Sequence, residues 1–255
     1  MAVPVNFLNL REEIVLDLEK EFSKSVRQHL GYFPVWQPGD AIVPGDIGDL
    51  DNGVFRRQAS ISEIFPKLEL DIESLKVDGL TRFRSEDCTA TTIQASGNVP
   101  AQGAVNANAA VELKFGKAGG SVFDALNCTE VYIKNLLEVR THVEQHRDKW
   151  PPKFKLATRI TKTDRFMVLI SGASGASVDI SGDAKALGSW NLAHASVSTS
   201  NQKNVGYERT GNGAILVGLY GFGWFGKSLK VLSFTAAMSP DPEFRELPAR
   251  DPSFD

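Results

Sequence analysis

Gly221 to Ser228 reads Gly-Phe-Gly-Trp-Phe-Gly-Lys-Ser and meets the spacing G-x-x-x-x-G-K-[ST], in which backbone amides cradle phosphates ahead of a helix. The residues that follow, Leu229 to Phe234, alternate in polarity and soon meet Pro240, so no helix is expected to turn its N-terminus toward a phosphate. The segment reads instead as an aromatic, glycine-spaced strand or turn. His142 and His146 stand at i and i+4, as two zinc ligands on a helix would. Glu144 is at the wrong offset for H-E-x-x-H, however, and no third ligand is near, so a solvated basic helix face is expected. Ser174 in Gly172-Ala-Ser-Gly175 misses the glycine spacing of a nucleophile elbow. Cys88 and Cys128 show no C-x-x-C or Cys/His pattern and read as small core residues. Asp46, Asp49 and Asp51 crowd a glycine- and proline-rich stretch without EF-hand spacing, with a calcium loop as the alternative reading. No catalytic group, cofactor or metal centre is expected, and the chain reads as a non-enzyme.

The elements that carry these residues belong to a chain of 255 residues, long enough for one large domain with a substantial core. Its net charge of −3 gives no general attraction to nucleic acid. Two cysteines suit a reducing compartment, and the opening Met-Ala-Val-Pro-Val-Asn has no basic and apolar leader pattern, so a cytoplasmic location is expected. The longest apolar run, Ala214 to Gly226, is short of the ~20 residues of a membrane helix. A membrane strand needs only ~10 residues of alternating polarity, which leaves a barrel open.

From Arg11 to Leu30, Ile14, Leu18, Phe22, Val26 and Leu30 recur every four residues opposite Lys20, Lys24 and Arg27, which predicts an amphipathic helix ended by Gly31. Prolines and glycines exclude helix from Tyr32 to Gly53. Val105, Ala107, Ala109, Val111, Leu113 and Phe115 then alternate with weakly polar residues, and Thr89 to Ala95 alternate before the turn signal Gly97-Asn98 and Pro100. The pair predicts a long hairpin. A helix is expected over Thr129 to Lys149, stopped by Pro151-Pro152, and strand over Lys153 to Ile170. A short strand is expected at Ser177 to Ile180 and a longer one at Trp190 to Ser200, with Ala193, Ala195 and Val197 on one side. The last β region runs from Ala214 to Met238, so that 1–238 form one domain and the acidic, proline-rich 239–255 a tail. Nine Lys/Arg against four acids make Lys134 to Arg165 a basic belt.

In this order the elements resemble the pore-forming domain of the gasdermins. The resemblance is carried by the N-terminal amphipathic helix and by Arg56-Arg57-Gln-Ala-Ser-Ile61-Ser-Glu63-Ile64-Phe65, similar to the family's basic strand leading into S-I-x-[DE]-I. It is carried further by the hairpin Leu75 to Phe115, by Lys155-Leu-Ala-Thr-Arg-Ile160-Thr-Lys162, and by Gly213-Ala-Ile-Leu-Val-Gly-Leu-Tyr220. No inhibitory second domain is expected within 255 residues and no cysteine stands near residue 1, so the chain looks most similar to the single-domain fungal gasdermin-like regulators of cell death in allorecognition. The resemblance implies an α+β fold, a twisted antiparallel sheet with long hairpins and flanking helices. It also implies a protein that moves from the cytoplasm to the plasma membrane, binds anionic phospholipid, and assembles with its own kind or with a variant homologue. On that basis Lys20, Lys24, Arg27, Arg56 and Arg57 would bind lipid, while Val105, Ala107, Val111, Leu113, Ala193, Ala195 and Val197 would insert. A soluble lipid- or protein-binding module that never inserts is the alternative.

Overall fold

The computed structural model describes residues 7–77, 81–93, 108–183, 186–187, 189–222 and 229–232, of which 7–17, 92–93, 108 and 229–232 as backbone alone. The turn expected at 97–100, Val105, Ala107, and the boundary at 238 with its tail lie outside the described residues.

Helix α1 (Phe7–Leu30) stops where Gly31 takes φ +71°. It buries Leu18, Phe22 and Val26 and leaves Lys20 and Lys24 in solvent, the two-faced character its spacing predicts. The turn-rich stretch yields β1 (Phe33–Pro34) and β2 (Asp46–Asp51), and β2 pairs with β3 (Val54–Ser60). The short helix α2 (Ile61–Ile64) begins with a capping box, Ser60 and Glu63 each satisfying the other's backbone amide. Then come β4 (Ile72–Lys76), β5 (Thr81–Arg84), β6 (Cys88–Ile93), β7 (Asn108–Phe115), β8 (Ser121–Leu126) and β9 (Thr129–Ile133). Helix α3 (Leu136–Gln145) and a 3-10 turn at Arg147–Lys149 precede Pro151. The strands β10 (Lys155–Ser171), β11 (Ala176–Asp183), β12 (Ser198–Lys203), β13 (Val205–Phe222) and β14 (Leu229–Leu232) complete the chain.

The class expected from sequence, α+β with an antiparallel sheet, long hairpins and flanking helices, is the class observed. Every pair of named strands runs antiparallel, in a ten-stranded sheet (sheet A) and a four-stranded one (sheet B) of order β12-β11-β7-β6. Strand β10 is the spine of sheet A. Its Phe166, Val168 and Ile170 pack with α1 on one face, while Met167 and Leu169 meet the inner face of sheet B on the other. This period-two division places β10 between two cores.

Several expectations are corrected. The first part of Thr129 to Lys149 is strand, because Val131 and Ile133 pair with β10 and β4; the helix starts only at Leu136. Residues 190–197 form turns, with Ala193 and Val197 buried and Ala195 exposed, so the expected one-sided strand is confined to Ser198–Lys203. Asp46 lies in strand β2, buried, with its carboxylate 2.9 Å from Arg57 Nε and accepting from the Val43 amide, which overturns the calcium-loop alternative. His142 and His146 are half-buried rather than solvated: their rings stack with centroids 4.4 Å apart, and Phe65 meets His142 edge-on at 5.1 Å.

Candidate functional site

Four strands of sheet A continue into four strands of sheet B. Strand β5 becomes β6 across Ser85–Asp87, and β7 becomes β8 across Gly116–Gly120. Strand β10 becomes β11 across Gly172–Gly175, and β12 becomes β13 across Asn204. The neighbours are the same on both sides of these breaks: β5-β8-β10-β13 in sheet A and β6-β7-β11-β12 in sheet B. Backbone hydrogen bonds bridge the line itself. Ser85 N donates to Ser121 O at 2.9 Å and Gly116 N to Asp87 O at 2.8 Å. Ser171 N donates to Gly120 O at 2.8 Å, Gly172 N to Asn204 O at 2.8 Å and Gly175 N to Phe115 O at 2.9 Å. Sheet B is therefore the continuation of a four-stranded part of sheet A, bent along a single line.

Small residues make the bend. Gly119 has φ +76° and Gly175 φ +74°, a region costly for residues with a Cβ. A Cβ on Gly172 would meet the Gly206 Cα at 3.1 Å, so two strands cross there with backbone against backbone. Ser174 Oγ donates to Gly116 O at 2.7 Å and Ser171 Oγ to Lys117 O at 2.6 Å, tying the break in one strand to the break in its neighbour. Helix α1 lies along the same line: a Cβ at Gly206 would strike Leu18 Cδ1 at 2.6 Å, and one at Gly119 would strike Glu21 Cγ at 2.9 Å.

Sheet B is two-faced. Its inner face carries Leu113, Phe115, Ala176, Val178 and Ile180, all buried against Val122, Met167 and Leu169. Its outer face carries Thr89, Thr91, Glu112, Lys114, Ser177, Asp179 and Ser200, with Lys114 Nζ 2.9 Å from Glu112. Strands β6 and β12 each pair on one side only among the described residues, leaving sheet B with two open edges. The hairpins 88–115 and 176–203 have ample length for two arms of ~9–11 residues, the span of a tilted membrane strand.

Among the residues singled out by sequence, the structure places Val111 and Leu113 on this inner face, Val111 half-buried and Leu113 fully buried. A charge at Leu113 is thus costly in this folded form. Ala193 and Val197 belong to the turn that links the strands of the second hairpin; the Ala193 amide donates to Asp124 Oδ2 at 2.9 Å. The five candidate lipid-binding cations do not form one surface. Lys20 and Lys24 are exposed. Arg27 lies with its guanidinium 5.9 Å from the Phe33 ring centroid, and Arg56 pairs with the buried Glu19 of α1. Arg57 turns to the opposite side, toward Asp46. In the basic belt, Lys134 pairs with Glu73, Arg140 with Glu144 and Arg159 with Glu130, so three of its cations are answered locally.

The nucleotide-loop spacing ends in a hairpin. Gly221 and Phe222 close β13, and Phe222 pairs with Leu229 of β14, so a strand follows where a phosphate loop needs a helix; 223–228 lie outside the described residues. Cys88 and Cys128 are buried and free, and burial pushes the Cys88 thiol up to about 12. No cluster of three or more metal-ligating side chains exists among the described residues, and none of their helices is long and apolar enough to cross a membrane. The bend is the feature sequence reading missed. Its signal was present as two glycine clusters, 116–120 and 172–175, but nothing local says that they lie side by side.

No family model matches the chain, and no curated protein matches it. Among solved structures, a bacterial gasdermin from Bradyrhizobium tropiciagri aligns with 82% of this chain and 89% of its own, at 12% identity and a TM-score of 0.34.

Proposed function

We propose that this protein is a gasdermin-type pore former. It docks on an anionic plasma-membrane leaflet, associates edge to edge with further copies or with a variant homologue, and swings its two hairpins into the bilayer as part of a β-barrel whose opening kills the cell. One observation carries the reading: the four strands keep the same neighbours through a shared bend, so straightening the bend extends the ladder without re-pairing any strand.

The physical chemistry is consistent with that motion. A lone hairpin cannot enter lipid, because its edge amides and carbonyls would lie unsatisfied in hydrocarbon. Each chain would bring four strands, an even number, so β6 of one subunit meets β12 of the next in antiparallel sense, and a closed ring removes every edge. The inner face of sheet B, apolar and covered in the bent form, would face the acyl chains; the outer, polar face would line the lumen. Lys20 and Lys24 lie on the exposed side of the helix that packs on the bend, where each cation near an anionic leaflet contributes about 1 kcal/mol of attraction. Docking and opening are thereby connected through α1.

Dye release from liposomes with and without anionic phospholipid, imaged in parallel by negative stain, tests the reading. Leakage with ring-shaped particles on anionic vesicles is the expected result. Sedimentation with those vesicles and no leakage would instead establish a lipid-binding module that does not insert.

A further inference from the structure

Next to the bend, the edge strand β5 and its neighbour β8 leave a groove of about 330 Å³ beneath the turn 189–193. Its walls come from two parts that the opening motion would separate. Arg82, Arg84, Val122 and Asp124 stand on the ladder, where Arg82 faces Asp124 and Arg84 faces Val122 across the strand pair. Trp190 and Leu192 come from the turn between β11 and β12, in the second hairpin.

The chemistry of this groove is unfinished in three respects. Arg82 and Arg84 project from one face of β5, both exposed, and neither takes part in an ion pair among the described residues. Arg82 Nη1 donates to the Ser189 carbonyl at 2.7 Å, and the Arg84 guanidinium lies 4.9 Å from the Trp190 ring centroid, so both already touch the turn. Asp124 is 1% exposed; its Oδ2 accepts from Ala193, but its Oδ1 is buried without a hydrogen-bond partner. Two guanidinium forks suit a doubly charged phosphate, the indole offers a plane or an apolar wall, and the orphan oxygen requires a donor. The volume is that of a small-ligand site.

We propose that the groove binds an organic phosphomonoester bearing a hydroxyl or amine, and that the bound ligand clamps the tip of the second hairpin to the base of the first. The phosphate takes Arg82 and Arg84, the donor takes Asp124 Oδ1, and the body of the ligand lies against Trp190 and Leu192. A ligand whose site exists only while the turn is down stabilises the bent form by mass action and opposes opening. The binding site stands on its own geometry; the inhibition rests on the pore-forming reading.

Calorimetric titration of the full chain with adenosine 5′-monophosphate, glycerol 3-phosphate and hexanoyl lysophosphatidic acid, each a phosphomonoester with a free hydroxyl, tests the site without any membrane. Saturable binding of at least one of these is expected. Arg82→Gln/Arg84→Gln should weaken it by about tenfold or more, and Trp190→Ala should weaken it as an independent check. Binding of either soluble compound assigns a soluble metabolite, and binding of the short lipid alone assigns a phospholipid headgroup. Silence with all three, or affinity indifferent to the double substitution in a folded variant, overturns the site. The saturating ligand should also slow dye release from anionic liposomes; binding that leaves leakage unchanged or faster overturns the clamp. Binding without leakage under any condition would count against pore formation and leave the site standing.

Discussion

At the scale of single residues, the groups that hold the bent form are polar and only partly satisfied. Asp124 is the clearest: burial pushes its carboxyl above the ordinary carboxylate range, with the Ala193 amide opposing that shift. A raised folded value means that folding favours the protonated acid. The stability it contributes is complete below its unfolded pKa, near 4, and is lost as pH rises through the folded value in the range above it. Asp124→Asn keeps an acceptor for Ala193 and removes that titration. Urea denaturation across the acidic range should give a flatter stability curve for the variant than for the parent, and parallel curves would refute the assignment. Residue types alone could not announce this aspartate. It lies in Ser-Val-Phe-Asp-Ala-Leu, a strand buried on both faces, where alternation has no exposed side on which to appear.

At the scale of elements, sequence patterns were readable where one face meets solvent and the other a core. Helix α1 and the first hairpin show this, whereas β10 and β13 over Ala214 to Leu219 are buried on both faces and were legible as apolar β-rich runs instead. The pattern misled where two periods agree: Val131, Ile133, Leu136 and Leu137 fit 3.6 as well as 2, and only the pairing with β10 decides. It misled again at 190–197, where alternating small residues fold back as turns because Asp124 and the inner core hold them. Two predictions belong to these elements. Val111→Lys puts a charge on the face assigned to lipid, at about 2–4 kcal/mol per subunit near the midplane, whereas Thr91→Lys stays on the outer face opposite Glu112. Dye release should collapse in the first variant and persist in the second, with folding of both monitored by circular dichroism. Gly206→Val drives a side chain into Leu18 and Gly172, loosening α1 from the bend by about 1–3 kcal/mol. A lower melting temperature together with leakage at a smaller anionic lipid fraction is the expected signature; a lower melting temperature alone would show that α1 does not restrain opening.

For the molecule as a whole, net charge is a poor guide to where a membrane would be met. A chain at −3 presents Lys20 and Lys24 on one exposed helix face while Arg56, Arg57 and Arg159 are held by carboxylates of the same chain. Lys20→Glu/Lys24→Glu should abolish sedimentation with anionic liposomes and leave the melting curve unchanged. Retained binding would move docking off α1.

The matched order of strands across the bend has one more consequence, for the kind of barrier that separates closed from open. Rearrangements that trade strand partners must pass through a state with broken ladders, whereas the proposed opening would move sheet B as a panel about its own spine. The obstacle is then the wetting of Leu113, Phe115, Val178 and Ile180 before lipid replaces water over them, and opening should quicken where a bilayer is already touching. Paired spin labels read this directly. Labels at Thr91 and Ser200, on the outer strands of the panel, should keep their separation through opening, while labels at Thr91 and Lys24 should move apart.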